Sequence, residues 1–66
     1  MKSYRIYILE TDGRLQLGDA FDATDDQMAA ARAQDVAEKG RTAELWEGGR
    51  IVGRVSKGGA FMDGPG

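Results

Sequence analysis

Thr24-Asp25-Asp26-Gln27-Met28-Ala29-Ala30-Ala31-Arg32-Ala33-Gln34-Asp35-Val36-Ala37-Glu38-Lys39-Gly40 is the stretch that reads as a helix, and it separates two strand-rich halves. Thr24 through Gln27 matches a capping box, in which the threonine oxygen takes an orphan backbone N–H and the glutamine reaches back. Asp25 and Asp26 place negative charge at the positive end of the helix dipole. Alanine, the best helix former, dominates from Gln27 to Lys39, and Gly40 stands where a left-handed residue would end the helix. Ala29, Ala33, Val36 and Ala37 share one stripe, opposite Gln34, Asp35 and Glu38. Side chains this small let a helix lie close to a sheet. The bulk of the core must then come from the strands and from Phe21, just before the cap.

Upstream, Tyr4 to Leu9 is rich in aromatic and β-branched residues, which suit a pleated surface. Asp12-Gly13 fits the centre of a two-residue type I′ hairpin turn. That turn predicts pairing of Thr11 with Arg14, Leu9 with Gln16 and Ile8 with Leu17. Paired residues share a face, so Ile6, Ile8, Leu15 and Leu17 are expected in the core. Arg5, Tyr7, Leu9 and Gln16 fall on the opposite side.

Downstream, Thr42 to Ser56 reads as a second hairpin around Gly48-Gly49, pairing Glu47 with Arg50, Trp46 with Ile51 and Leu45 with Val52. Ala43, Leu45 and Val52 are placed inside, because the opposite choice buries Glu44 in mid-strand. Thr42, Glu44, Trp46, Ile51 and Val55 then face outward. Gly53 is a candidate bulge that would alter this parity. The order ββαββ predicts an α+β fold: a four-stranded antiparallel sheet in the order 2-1-3-4 with one helix on one face. Residues 1–57 make the single domain, and 58–66 read as a flexible glycine-rich tail.

The chain has 66 residues, 41% of them hydrophobic and 30% charged, with neither cysteine nor histidine. Disulfides, iron–sulfur clusters and thiolate zinc sites are excluded, together with the commonest general base and transition-metal ligand. A net charge of −2 gives no overall attraction for nucleic acid or anionic lipid. No apolar run approaches a membrane span or a signal peptide, so cytoplasmic residence is expected.

Catalysis is hard to stage from these residues. A nucleophile would have to be serine or threonine, and the neighbours Ser56 and Lys57 point to opposite faces of a strand. The glycines at 48, 49, 53, 58 and 59 lack the Gly-Lys-Ser/Thr of a phosphate loop. Asp19, Asp22, Asp25 and Asp26 lack the glycine and terminal glutamate of an EF-hand, and helix capping accounts for most of them. The chain therefore reads as a non-enzymatic protein with no metal and no cofactor.

The candidate working surface is the sheet face away from the helix: Tyr7, Leu9, Trp46, Ile51 and Val55, with Arg5, Glu44 and Gln16 around them. A contiguous apolar patch of that kind marks an interaction site. A second copy of the chain, meeting it through this face or through exposed strand edges, is the leading expectation; a different protein, or the chain's own Phe61 and Met62, could cover the face instead. Aromatics beside arginines also suit stacking of single-stranded nucleic acid. The acidic segment from Glu10 to Asp26 and the absence of an RNP-like motif argue against that alternative.

Tyr4-Arg5-Ile6-Tyr7, the capped alanine-rich helix, and Glu44-Leu45-Trp46-Glu47-Gly48 with Arg50-Ile51-Val52 resemble the small bacterial ββαββ proteins over most of residues 3–56. That grouping implies a fold and no activity. The strand pair before a Thr- or Asp-capped helix is also similar to HicB-type antitoxins, a likeness that implies binding of a partner protein. The Phe-Pro-Asp-Leu-Pro-Gly segment typical of that family does not occur in this sequence, and neither does its DNA-binding extension.

Overall fold

The computed structural model describes residues 1–37 and 40–63. Glu38 and Lys39, which complete the expected helix, and Gly64, Pro65 and Gly66 lie outside the described residues. Among the described residues the chain runs β1 (Lys2–Leu9), β2 (Leu15–Ala23), α1 (Asp26–Ala37), β3 (Thr42–Glu47), β4 (Arg50–Val55) and β5 (Phe61–Asp63). The strands form one antiparallel sheet in the order β2-β1-β3-β4-β5. The expected α+β class and the β2-β1-β3-β4 order stand, but the sheet has five strands rather than four. No helix among the described residues is long and apolar enough to cross a membrane.

The fifth strand comes from the segment read as a tail. Ser56 N–H donates to Ala60 C=O at 2.8 Å, which closes a tight turn and lays Phe61 opposite Val55 and Met62 opposite Arg54. Phe61 is half-buried against the core. It also explains Gly53: a methyl group there would strike the Phe61 ring and come within 2.7 Å of the Met62 carbonyl oxygen. Glycine inside a strand often marks this kind of close approach.

The helix lies across β2, β3 and β4. Ala29, Ala33 and Ala37 are fully buried, and Val36 and Ala30 pack at the margin. The cap sits one residue later than the sequence pattern suggests. Met28 N–H donates to Asp25 Oδ1 at 2.9 Å and Ala29 N–H to the Asp25 carbonyl, so Asp25 is the N-cap. Thr24 instead points its hydroxyl at Met28 Sδ, 3.0 Å away. With methionine at the third helical position there is no reciprocal side-chain bond, and the capping box is only half made.

The large side chains buried most completely are Tyr4, Ile6, Leu45 and Val55. Around them lie five alanines and Val52, with Phe21 and Phe61 packed alongside. For a chain of this length that core is thin, because small domains bury a smaller share of their surface.

Two irregularities decide which side chains reach this core. The first hairpin closes through three residues, Thr11, Asp12 and Gly13, not two. Glu10 N–H donates to Arg14 C=O at 2.8 Å and Gly13 N–H to Glu10 C=O at 3.0 Å, with Gly13 at a φ of 88°. This is the turn in which a left-handed glycine forms a bulge, and it moves the register by one. Leu9 now opposes Leu15 and Tyr7 opposes Leu17. A one-residue slip flips every side chain. Leu15 and Leu17, expected in the core, therefore stand on the outer face, 47% and 53% exposed. The bulge at Gly18, between the pairs Ile6–Asp19 and Tyr7–Leu17, then restores parity and turns Phe21 inward opposite Tyr4.

The second irregularity lies in β4. Glu47 opposes Arg50 and Trp46 opposes Ile51 as expected, but Leu45 opposes Gly53, so Val52 is the extra residue of a bulge. Val55 consequently faces Ala43 inside the core, fully buried, and Arg54 takes the outward position opposite Glu44. The assignment of Val55 to the interaction face is thereby overturned.

Candidate functional site

Strand parity builds the outer face of the sheet from the register alone. β1 contributes Arg5, Tyr7 and Leu9. β2 contributes Leu15, Leu17, Ala20 and Asp22, paired with Leu9, Tyr7, Arg5 and Ser3. β3 contributes Trp46 opposite Arg5 and Glu44 opposite Tyr7. Ile51 and Arg54 follow on β4 and Met62 on β5. Of the residues read from the sequence as an interaction face, Tyr7, Leu9, Trp46, Ile51 and Arg5 share this side, and Val55 does not. Phe61 lies on the helix side, and Met62 is 51% exposed. β5 therefore closes the core and, among the described residues, does not cover the face that carries Trp46.

Leu15 and Leu17 are the functional candidates that sequence reasoning missed. The signal was present in Thr11-Asp12-Gly13, because Asp-Gly fits a three-residue bulged turn as well as a two-residue one. Asp12 settles the choice locally: its Oδ1 accepts from Arg14 N–H at 3.0 Å, an Asx turn that stabilises the longer loop.

One carboxylate organises the polar part of the face. Glu44 Oε1 accepts from the Trp46 indole N–H at 3.1 Å, and its Oε2 receives Arg54 Nη2 at 2.8 Å. Its side chain is only 13% exposed. The hydrogen bond to Glu44 orients the indole, which is half-buried and cross-strand from Ile51. A depression of about 360 Å³ lies among Tyr7, Leu15, Trp46 and the Gly48–Gly49 turn. Arg5, cross-strand from Trp46, makes no ion pair among the described residues.

The hairpin carrying Trp46 is tied to the helix from behind. Tyr4 O–H donates to Asp26 Oδ1 at 2.7 Å, and Arg50 Nη2 donates to the same carboxylate at 3.1 Å and also to Glu47. Burial, reinforced by the Asp26 carboxylate, pushes the Tyr4 hydroxyl pKa up to about 12. The hydrogen bonds from Tyr4 and then Arg50 hold Asp26 below its usual range. Glu47 and Asp26 make the Arg50 guanidinium harder still to deprotonate. Behind this group, Phe21 stacks on Tyr4 with ring centroids 5.8 Å apart. The Arg32 guanidinium lies 4.7 Å over the Phe21 ring and pairs with Asp19 at 3.0 Å.

The acids considered as metal ligands are each engaged elsewhere. Asp19 pairs with Arg32, Asp22 accepts from Ser3 O–H, Asp25 caps the helix and Asp26 joins Tyr4 and Arg50.

Both sheet edges are unfavourable for strand addition. β2 is bulged at Gly18, and next to the bulge Asp19 Oδ1 accepts from Ala20 N–H at 2.9 Å. Among the described residues β5 spans three. Comparison with protein-family models, with curated proteins and with solved structures finds no match for this chain.

Proposed function

We propose that this protein is a non-enzymatic interaction module whose working surface is the open face of the sheet. The observation that carries the reading is the cluster of Tyr7, Leu9, Leu15, Leu17, Trp46 and Ile51 on one side of a sheet whose single helix lies on the other. An apolar face of this kind, with a polar rim, is the usual mark of a protein contact. Trp46 and Tyr7 at its middle are the residue types that dominate binding energy. The blunted edges direct the contact to the face.

The test compares Leu17→Lys on the open face with Met28→Lys on the helix, two positions of similar exposure at 53% and 60%. Tagged full-length protein is purified from its source cells, and its oligomeric state and co-purifying proteins are measured. Leu17→Lys should lose whatever the wild type holds, and Met28→Lys should keep it. An association untouched by Leu17→Lys, or a wild type that holds nothing, would sink the reading.

A further inference from the structure

We infer that the occupant of the open face is a second copy of this chain, packed face to face about a two-fold axis lying along one diagonal of the sheet. The inference rests on the reading of that face as the working surface and names its partner.

Three observations converge. The first is charge. The face carries Arg5 and Arg54 against Glu44 and Asp22, a balanced set. A nucleic acid or a strongly charged protein would meet no complementary field there, whereas a copy of the same face meets both signs. The second is area. At strand spacings of about 4.8 Å and about 3.3 Å per residue, the face covers roughly 500 Å². Two such faces bury at most about 1,000 Å² when fully covered, which reaches the lower bound for a specific interface. The third is the thin core, with four large side chains fully buried among the described residues. A face-to-face pair adds a second apolar layer that the single chain lacks.

The layout of charges fixes the orientation. Tyr7 and Trp46 lie along a diagonal that begins between Leu9 and Leu17. Arg5 and Asp22 fall on one side of it, Glu44 and Arg54 on the other. A two-fold axis along this diagonal lays Tyr7 on Tyr7 and Leu9 on Leu17 of the other copy. It also carries Arg5 of each copy onto the Glu44–Arg54 pair of the other, where Glu44 accepts it. An axis along the opposite diagonal sets Arg5 against Arg5 and Glu44 against Glu44, which like-charge repulsion disfavours. The strands of the two sheets then cross near a right angle, one of the two standard sheet packings.

Charge exchange tests the arrangement. Wild type, Arg5→Glu, Glu44→Arg and an equimolar mixture of the two variants are run in sedimentation dilution series, with far-ultraviolet circular dichroism as the check on folding. The wild type should dimerise reversibly. Each variant alone should weaken the dimer by about tenfold or more, and the mixture should recover to within about threefold of wild type. Because Glu44 also holds Trp46 and Arg54 within its own chain, Arg5→Glu mixed with wild type gives an independent readout. Its heterodimer should fall between the two homodimers. A heterodimer tighter than wild type would place Arg5 on Arg5 and overturn the orientation, as would variants that leave the dimer unchanged. A wild type that stays monomeric throughout overturns the second copy. The face itself survives that result if Leu17→Lys still strips a different partner.

Discussion

Gly53 shows how much of this fold turns on a single missing side chain. Its Cα hydrogen sits where a methyl group would collide with the Phe61 ring and the Met62 carbonyl, one of them backbone and unable to swing aside. Gly53→Ala should therefore destabilise the domain by about 1–3 kcal/mol, the usual range for overpacking, read as a lower urea midpoint. Hydrogen exchange should rise first at the β5 amides. Tyr4 supplies a second prediction at this scale. Its pKa is raised to about 12 in the folded protein, against about 10 when unfolded. The folded state thus holds its proton where the unfolded state has lost it. Stability from this group is complete below about pH 10 and falls as pH rises towards 12. Tyr4→Phe should remove that alkaline loss, so the wild-type and variant stability curves converge above pH 10. At neutral pH the variant should be weaker by about 1 kcal/mol, because Asp26 loses a donor. Asp26 works in the other direction: its lowered pKa makes its contribution vanish as pH falls below the ordinary carboxylate range.

At the scale of the element, the helix N-terminus separates two neighbouring residues, and the capping-box pattern points to Thr24 where the structure uses Asp25. Asp25 accepts the Met28 N–H, and Thr24 does not. Asp25→Ala should cost about 1 kcal/mol, and Thr24→Ala distinctly less, both measured by denaturant unfolding. The hairpins show the same contrast between legible and illegible detail. Gly48-Gly49 flanked by Trp46 and Ile51 admits a two-residue turn, and the pairing around it follows from that. Thr11-Asp12-Gly13 admits two turns differing by one residue, and the difference exchanges the inner and outer faces of Leu15 and Leu17. Hydrophobicity could not arbitrate, since Leu15 and Leu17 would suit either side. Val55 lies inside for a related reason: a bulge at Val52 shifts parity without changing composition. β5 leaves no trace in the sequence pattern, because three residues behind a Lys57-Gly58-Gly59 turn carry no periodicity.

For the whole molecule, the helix, the class, the order of the first four strands and the shared face of Tyr7 and Trp46 were readable. The helix, the class and the strand order rest on patterns that survive a slip of one residue, and Tyr7 and Trp46 stay on one face because β1 and β3 pair without a bulge. What lies beyond the Asp12-Gly13 turn and the β4 bulge depends on parity that the sequence does not show. Correcting it enlarged the candidate surface: Val55 leaves for the core, while Leu15 and Leu17 arrive to extend the apolar patch towards β2. The reading of the face as a contact thereby gains area where it needed it, and the charge-exchange and Leu17→Lys measurements decide it.

The seam between β1 and β3 has a consequence for how the chain reaches this shape. Every other pair of neighbouring strands is joined by a tight turn, whereas Tyr4 opposite Glu47 and Leu9 opposite Thr42 are brought together across the helix. Local hairpins close in microseconds, but a pairing so distant along the chain must first overcome the entropy of a long loop. The slow step of folding is therefore predicted at that seam. Changes at Ile6 or Leu45 should be felt in the rate of refolding, and changes at Phe61 in the rate of unfolding.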